Sequence, residues 1–171
     1  GGFILATALE RSGAHRRIAL YMVRAFGGTS SRRLVFGFMC ASAFLSMWIS
    51  NTSTTLMLLP VALAVLEKSD DPSLASPLLL GIAYAASIGG IGTPIGTPPN
   101  MVFMGVYSEV TGGAISFGQW MLWAIPVVLL LLPIAGLWIT RGVSKSGGVA
   151  LPASEAWSLS LIHISEPTRP Y

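Results

Sequence analysis

The sequence predicts an all-α membrane protein. Three observations predict it: too few charges for a soluble domain, several apolar stretches approaching bilayer length, and two polar, helix-breaking runs inside those stretches. Of 171 residues, 53% are hydrophobic and 10% charged, against about 25% charged in soluble domains. The mean hydropathy is +0.70. A crossing helix needs about 20 mostly apolar residues. The single cysteine, Cys40, excludes an internal disulfide framework. It sits in an apolar run, where a packed, reduced thiol is expected.

The first elements are read from charge. Gly1–Leu9 is apolar, without an initiator Met or a signal-peptide charge pattern, so residues 1–13 are expected to be the end of a truncated transmembrane helix. Residues 14–28 are expected to form an interfacial amphipathic helix. Ile18, Tyr21, Met22 and Phe26 recur at helical spacing, while Arg16, Arg17 and Arg24 lie largely off that row. Arg11, Arg16, Arg17, Arg24, Arg32 and Arg33 share one short stretch with only Glu10 beside them. Such a cluster can serve nucleic acid. Beside long apolar segments it marks a cytoplasmic loop, and no soluble domain remains to present it to a nucleic acid. His15 has no second ligand near it in sequence and reads as an interfacial residue.

Leu34–Leu66 is too long for one comfortable span and too short for two. Six hydrogen-bonding side chains, Ser50 to Thr55, stand in its middle. Polar backbone at membrane depth is tolerated only where protein covers it or a wet cavity adjoins it. The expected solution is a re-entrant helical hairpin over 34–66 with the polar run at its tip. Residues 77–107 are expected to form a discontinuous transmembrane helix, because Gly89–Asn100 holds four glycines and three prolines. Ser108–Ser116 reads as a loop. Residues 117–140 read as an ordinary transmembrane helix, with Trp120, Trp123 and Trp138 as interface anchors. Residues 141–157 are expected to be cytoplasmic. Ser158–Tyr171 follows no periodicity; it reads as a non-native tail, with a disordered cytoplasmic tail as the alternative. Charge supports the hairpin. With the arginine-rich stretch inside, a re-entrant 34–66 returns Arg141 and Lys145 to the inside, whereas a crossing segment puts them outside.

The two polar runs carry the candidate chemistry. An unwound segment frees backbone carbonyls for a cation, and helix N-termini face anions. Broken helices build midplane sites in many carriers. Neither run contains a charged side chain, so an anion there is met by neutral donors and its charge balanced by bound cations. The competing structural reading is that Ser, Thr and Gly here only pack helices or bond back to their own backbone. Gly90, Gly92 and Gly96 do not have the spacing or the helix–sheet context of a dinucleotide fingerprint. Asn51-Thr52-Ser53 matches a glycosylation acceptor, but a site at membrane depth is not glycosylated.

Phe44–Pro60 (FLSMWISNTSTTLMLLP) and Ser87–Asn100 (SIGGIGTPIGTPPN) together resemble the divalent anion–sodium symporter family. The resemblance extends from Gly1 to about Trp138. It implies one half of an inverted-repeat transporter, with the second repeat absent from this chain and a homodimeric parent. It implies uptake of a small anionic substrate (succinate, malate, citrate or sulfate) coupled to sodium, by an elevator-like movement. No cofactor is implied beyond sodium as coupling ion. Matched residue by residue, the first sodium site would use Ser46, Ser50, Asn51 and Gly96. The substrate would meet Asn51, Thr52 and Thr97. The expected location is a membrane, crossed several times, most simply a bacterial inner membrane. The alternative function is an anion channel, exchanger or export permease of related fold without sodium coupling. An enzyme is not expected, since neither 34–66 nor 78–107 contains His, Asp or Glu.

Overall fold

A computed structural model of the chain describes residues 30–67, 69 and 71–143. The expected truncated helix (1–13), interfacial helix (14–28), tail (158–171) and all but the first residues of 141–157 lie outside the described residues. Those described form five α-helices, with no strand among them. They are α1 (Ser31–Ser46), α2 (Asn51–Glu67), α3 (Ala75–Gly90), α4 (Pro98–Thr111) and α5 (Phe117–Ile139), the last closed by a 3-10 turn at Thr140–Gly142.

The chain folds back on itself between α1 and α2. Ser31 Oγ, at the start of α1, donates to Asp71 Oδ2, just beyond α2, at 3.3 Å. The reversal is tight: Trp48 and Ile49 N–H both donate to the Leu45 carbonyl at 3.0 Å. Ser50 Oγ then accepts from Ser53 N–H at 3.2 Å, which caps the start of α2. The turn is therefore Met47–Ser50. The polar run expected at the tip lies mostly beyond it, with Asn51–Thr55 forming the first turn and a half of α2. Thr55 Oγ1 bonds back to the Asn51 carbonyl at 2.7 Å, so that hydroxyl is satisfied without leaving the helix.

α3 lies along α1 in the same direction. Gly81 faces Val35 and Met39, and Gly89 lies against the Ala43 backbone with no room for a Cβ. Small residues permit this approach, which supplies much of the packing between helices in a membrane. Ser42 Oγ donates to the Ile82 carbonyl at 2.8 Å between them. Val35, Phe38, Met39, Leu58, Leu78 and Ile82 form the centre of the buried core.

Two expected boundaries shift. The break expected from Gly89 begins later, because α3 keeps Gly89 and Gly90 in its last turn. The interruption is 91–97, after which Pro98 and Pro99 start α4; proline is tolerated there because the first helical N–H groups have no intrahelical partner. The loop expected from Ser108 begins instead at Gly112, whose φ of 69° ends α4 in the left-handed region.

α5 runs antiparallel to α1. Near its start Trp120 reaches the α3 break, Gly136 sits against the Phe36 ring, and Arg32 donates to the Arg141 and Val143 carbonyls beyond its end, at 3.4 and 3.3 Å. Phe117–Gly142 is the one stretch among the described residues long and apolar enough to cross a membrane unaided. α4 is exposed along most of its length, with Val102, Phe103, Val106 and Val110 uncovered.

Candidate functional site

The two interruptions lie side by side. The Thr93 hydroxyl, in the α3–α4 break, donates to the Met47 carbonyl in the α1–α2 turn. Ser46 Oγ, at the last residue of α1, donates to Asn51 Oδ1, at the first residue of α2, at 2.5 Å. Glycine is required where this pair meets α3. A Cβ on Gly90 would lie 2.5 Å from Asn51 Oδ1. A Cβ on Gly96 would lie 2.5 Å from the Gly90 carbonyl oxygen and 2.9 Å from that of Ser46. Gly90 thus lies against Asn51 Oδ1, and Gly96 against the Gly90 and Ser46 carbonyls, with Ser46 Oγ on Asn51.

Three of the expected ion-site residues, Ser46, Asn51 and Gly96, are thus brought together. Ser50 is used differently: its hydroxyl caps α2 and donates to Ser53 Oγ at 2.9 Å. Thr52 is exposed and Thr97 half-buried, and neither hydroxyl has a hydrogen-bond partner among the described residues. Thr54, one turn beyond Asn51, is fully buried, and its hydroxyl has no partner among the described residues.

The break is held open by groups that the sequence reading did not assign. Asn100 Nδ2 donates to the Gly90 carbonyl at 2.9 Å and the Thr93 carbonyl at 2.8 Å. Trp120 Nε1 donates to the Ile91 carbonyl at 2.9 Å and its ring meets Phe103 edge-on at 5.9 Å. Pro94 was a visible signal. Having no N–H, it leaves the Gly90 carbonyl without its helical donor, and the Asn100 amide takes that donor's place.

The electrostatics are those of a neutral cluster. Among the described residues no group of three His, Cys, Asp or Glu side chains forms a metal cage. Hydroxyl, amide and carbonyl oxygens suit a hard cation that must also be released. Arg32, Asp71 and Arg141 gather at the opposite end. There the Ser73 hydroxyl, assisted by the Ser73 N–H and the Ser31 hydroxyl, holds the Asp71 carboxyl below the usual carboxylate range.

This is an assembly of broken, apolar helices around an uncharged oxygen cluster, and its relatives are transporters. The family described as "Citrate transporter" (CitMHS) matches residues 1–164, reaching into the segment expected to be a tail. The chain belongs to that family, whose members carry solutes and are not enzymes. A sodium-dependent dicarboxylate transporter, SdcS, of Staphylococcus saprophyticus is 37% identical over 166 residues, covering 91% of this chain and 32% of that protein. SdcS of Staphylococcus aureus is 41% identical over 150 residues, covering 81% and 29%. The chain thus spans about a third of the length of the curated relatives it matches.

Proposed function

We propose that the protein carrying this chain moves a small dicarboxylate across a membrane together with sodium, and that this chain supplies one half of the binding site. The observation that carries the reading is the meeting of Ser46, Asn51, Gly90 and Gly96 at two adjoining helix breaks with no charged side chain. Such a site cannot hold an anion by a lysine or arginine. A co-bound cation would balance the anion's charge, and the oxygens here suit sodium. The relatives, named sodium-dependent dicarboxylate transporters, support the same reading and disfavour a channel or permease without sodium coupling.

In this account sodium is taken by Asn51 Oδ1 and the neighbouring Ser46 and Gly90 carbonyls. The Ser46 hydroxyl turns its hydrogen away from Asn51 and becomes a further oxygen ligand. Asn51 Nδ2 and the exposed Thr52 hydroxyl, with Thr97 across the break, then face a carboxylate. α2 also presents its N-terminus nearby, where backbone N–H groups favour an anion. Ser50 contributes by fixing the start of α2. A second repeat elsewhere in the protein supplies the rest of the site.

The α1–α2 unit is re-entrant in this reading. Arg32 bonds to the carbonyls of Arg141 and Val143, so the start of the hairpin and the end of α5 occupy one end of the bundle. That agrees with both lying on the cytoplasmic side of a bacterial inner membrane.

The test is uptake of radiolabelled succinate by proteoliposomes containing the full-length protein. An inward sodium gradient is expected to drive accumulation that potassium or choline does not. Equal uptake in all three would favour the uncoupled permease.

A further inference from the structure

We infer that Asn100 is the positioning residue of the candidate ion site, the side chain that keeps the broken helix open in the arrangement Asn51 needs. The inference rests on the sodium reading above and adds a residue that reading does not use.

The last carbonyls of a helix have no intrahelical donor, and around a membrane-embedded break water is scarce. At the end of α3 each such carbonyl has a particular fate. Gly89 O receives Gly92 N–H at 2.8 Å, and Ile88 O receives Ile91 N–H at 3.3 Å. Gly90 O cannot be served in the ordinary way, because its helical donor would be residue 94, a buried proline. Asn100 Nδ2 takes that place and spends its other hydrogen on Thr93 O, which otherwise has only a 3.3 Å bond from Gly96 N–H. Asn100 is 8% exposed, so water does not readily substitute for it.

The consequence reaches the site through Gly90. Its α-carbon is the wall against which Asn51 Oδ1 rests, and its carbonyl borders the space at Gly96. A carbonyl oxygen has two lone pairs, so Gly90 O can accept from Asn100 and still face a cation. Without the Asn100 amide, Gly90 O must find another donor. Turning toward one moves both the wall and the carbonyl. Asn100 itself touches neither ion nor substrate; it lies in the first turn of α4 and fixes α4 to the end of α3 across the break.

The test uses Asn100→Leu in the full-length protein, which keeps the side-chain shape and removes both donors. Sodium is titrated against the thermal-unfolding midpoint in detergent, at constant ionic strength with choline. Succinate KM is measured in proteoliposomes at saturating sodium. The expected result is a sodium midpoint raised at least tenfold, with succinate KM changed less than threefold once sodium is saturating. An unchanged sodium midpoint would overturn the inference. So would sodium and succinate shifting by the same factor, which is the mark of general loosening. If Asn100→Leu does not fold, Asn100→Ser, with one shorter donor, is expected to give a smaller shift in the same direction, and no shift would again overturn it. A wild-type protein indifferent to sodium would remove the sodium reading and this inference together, whereas a responsive wild type with an identical variant removes the inference alone.

Discussion

Ser46 Oγ and Asn51 Oδ1 meet at 2.5 Å across the turn that separates α1 from α2. The last residue of one helix and the first of the next are thereby locked to each other, and Gly90 of a third helix closes against the same oxygen. The geometry leaves little slack around Asn51.

Gly90→Ala is the direct test of that contact. The added methyl would lie 2.5 Å from Asn51 Oδ1 and must displace it. A sodium titration of succinate uptake is expected to shift upward by roughly tenfold or more, equivalent to about 1.4 kcal/mol. A titration that superposes on the wild type would show that Asn51 is free to move without consequence.

Packing gives an internal contrast between two helical glycines. Gly89→Ala drives a methyl into the Ala43 backbone, which cannot yield as a side chain can. A loss of about 1–3 kcal/mol is expected, read as a lower unfolding midpoint of the full-length protein. Gly105, in α4, has nothing within 4 Å of its Cβ position. Gly105→Ala is expected to be neutral or to stabilise by up to about 1 kcal/mol.

Thr54 separates a binding role from a packing role. Its buried hydroxyl has no partner among the described residues. If it serves no ligand, Thr54→Val removes an unsatisfied group worth about 1–3 kcal/mol and is expected to raise the unfolding midpoint while leaving both titrations unchanged. A weakened sodium titration in this variant would instead enlist Thr54 in the ion site.

Topology is tested by accessibility. Arg33 and Glu67 are exposed at the two ends of the hairpin, and Glu109 is exposed on α4. With Cys40 replaced, single cysteines at 33 and 67 of the full-length protein are expected to react with an impermeant thiol reagent from the cytoplasmic side, and one at 109 from the other side. Reaction of 33 and 67 from opposite sides would contradict a re-entrant hairpin.

Much of this fold was legible in the sequence because membrane depth punishes irregularity. The polar run at Ser50–Thr55 adjoins the turn between α1 and α2, and the Gly/Pro run after Gly89 contains the interruption at 91–97. Their edges were less legible. Composition marks Gly89 and Gly90 as breakers, yet close packing against Ala43 makes them assets to α3. Ser50 looked like one polar residue among six, and only its bond to Ser53 N–H reveals a cap that starts α2. Of the site, Ser46, Asn51 and Gly96 were accessible through motif resemblance. Asn100 and Trp120 were not, since their partners are backbone carbonyls 10 and 29 residues away. Trp120 in particular reads as an interface anchor until its indole N–H is seen at Ile91.

Asn51 is the central residue, proposed to serve the cation with its oxygen and the anion with its amide. The decisive measurement is succinate uptake by proteoliposomes of full-length wild type and Asn51→Ala, titrating sodium at fixed succinate and succinate at fixed sodium. Loss of a hydrogen bond to a charged group costs about 1.5–3 kcal/mol, or roughly ten- to a hundredfold in affinity, and both titrations are expected to weaken by that order. Two unchanged titrations would make the turn between α1 and α2 a packing element, and would contradict the site proposed here.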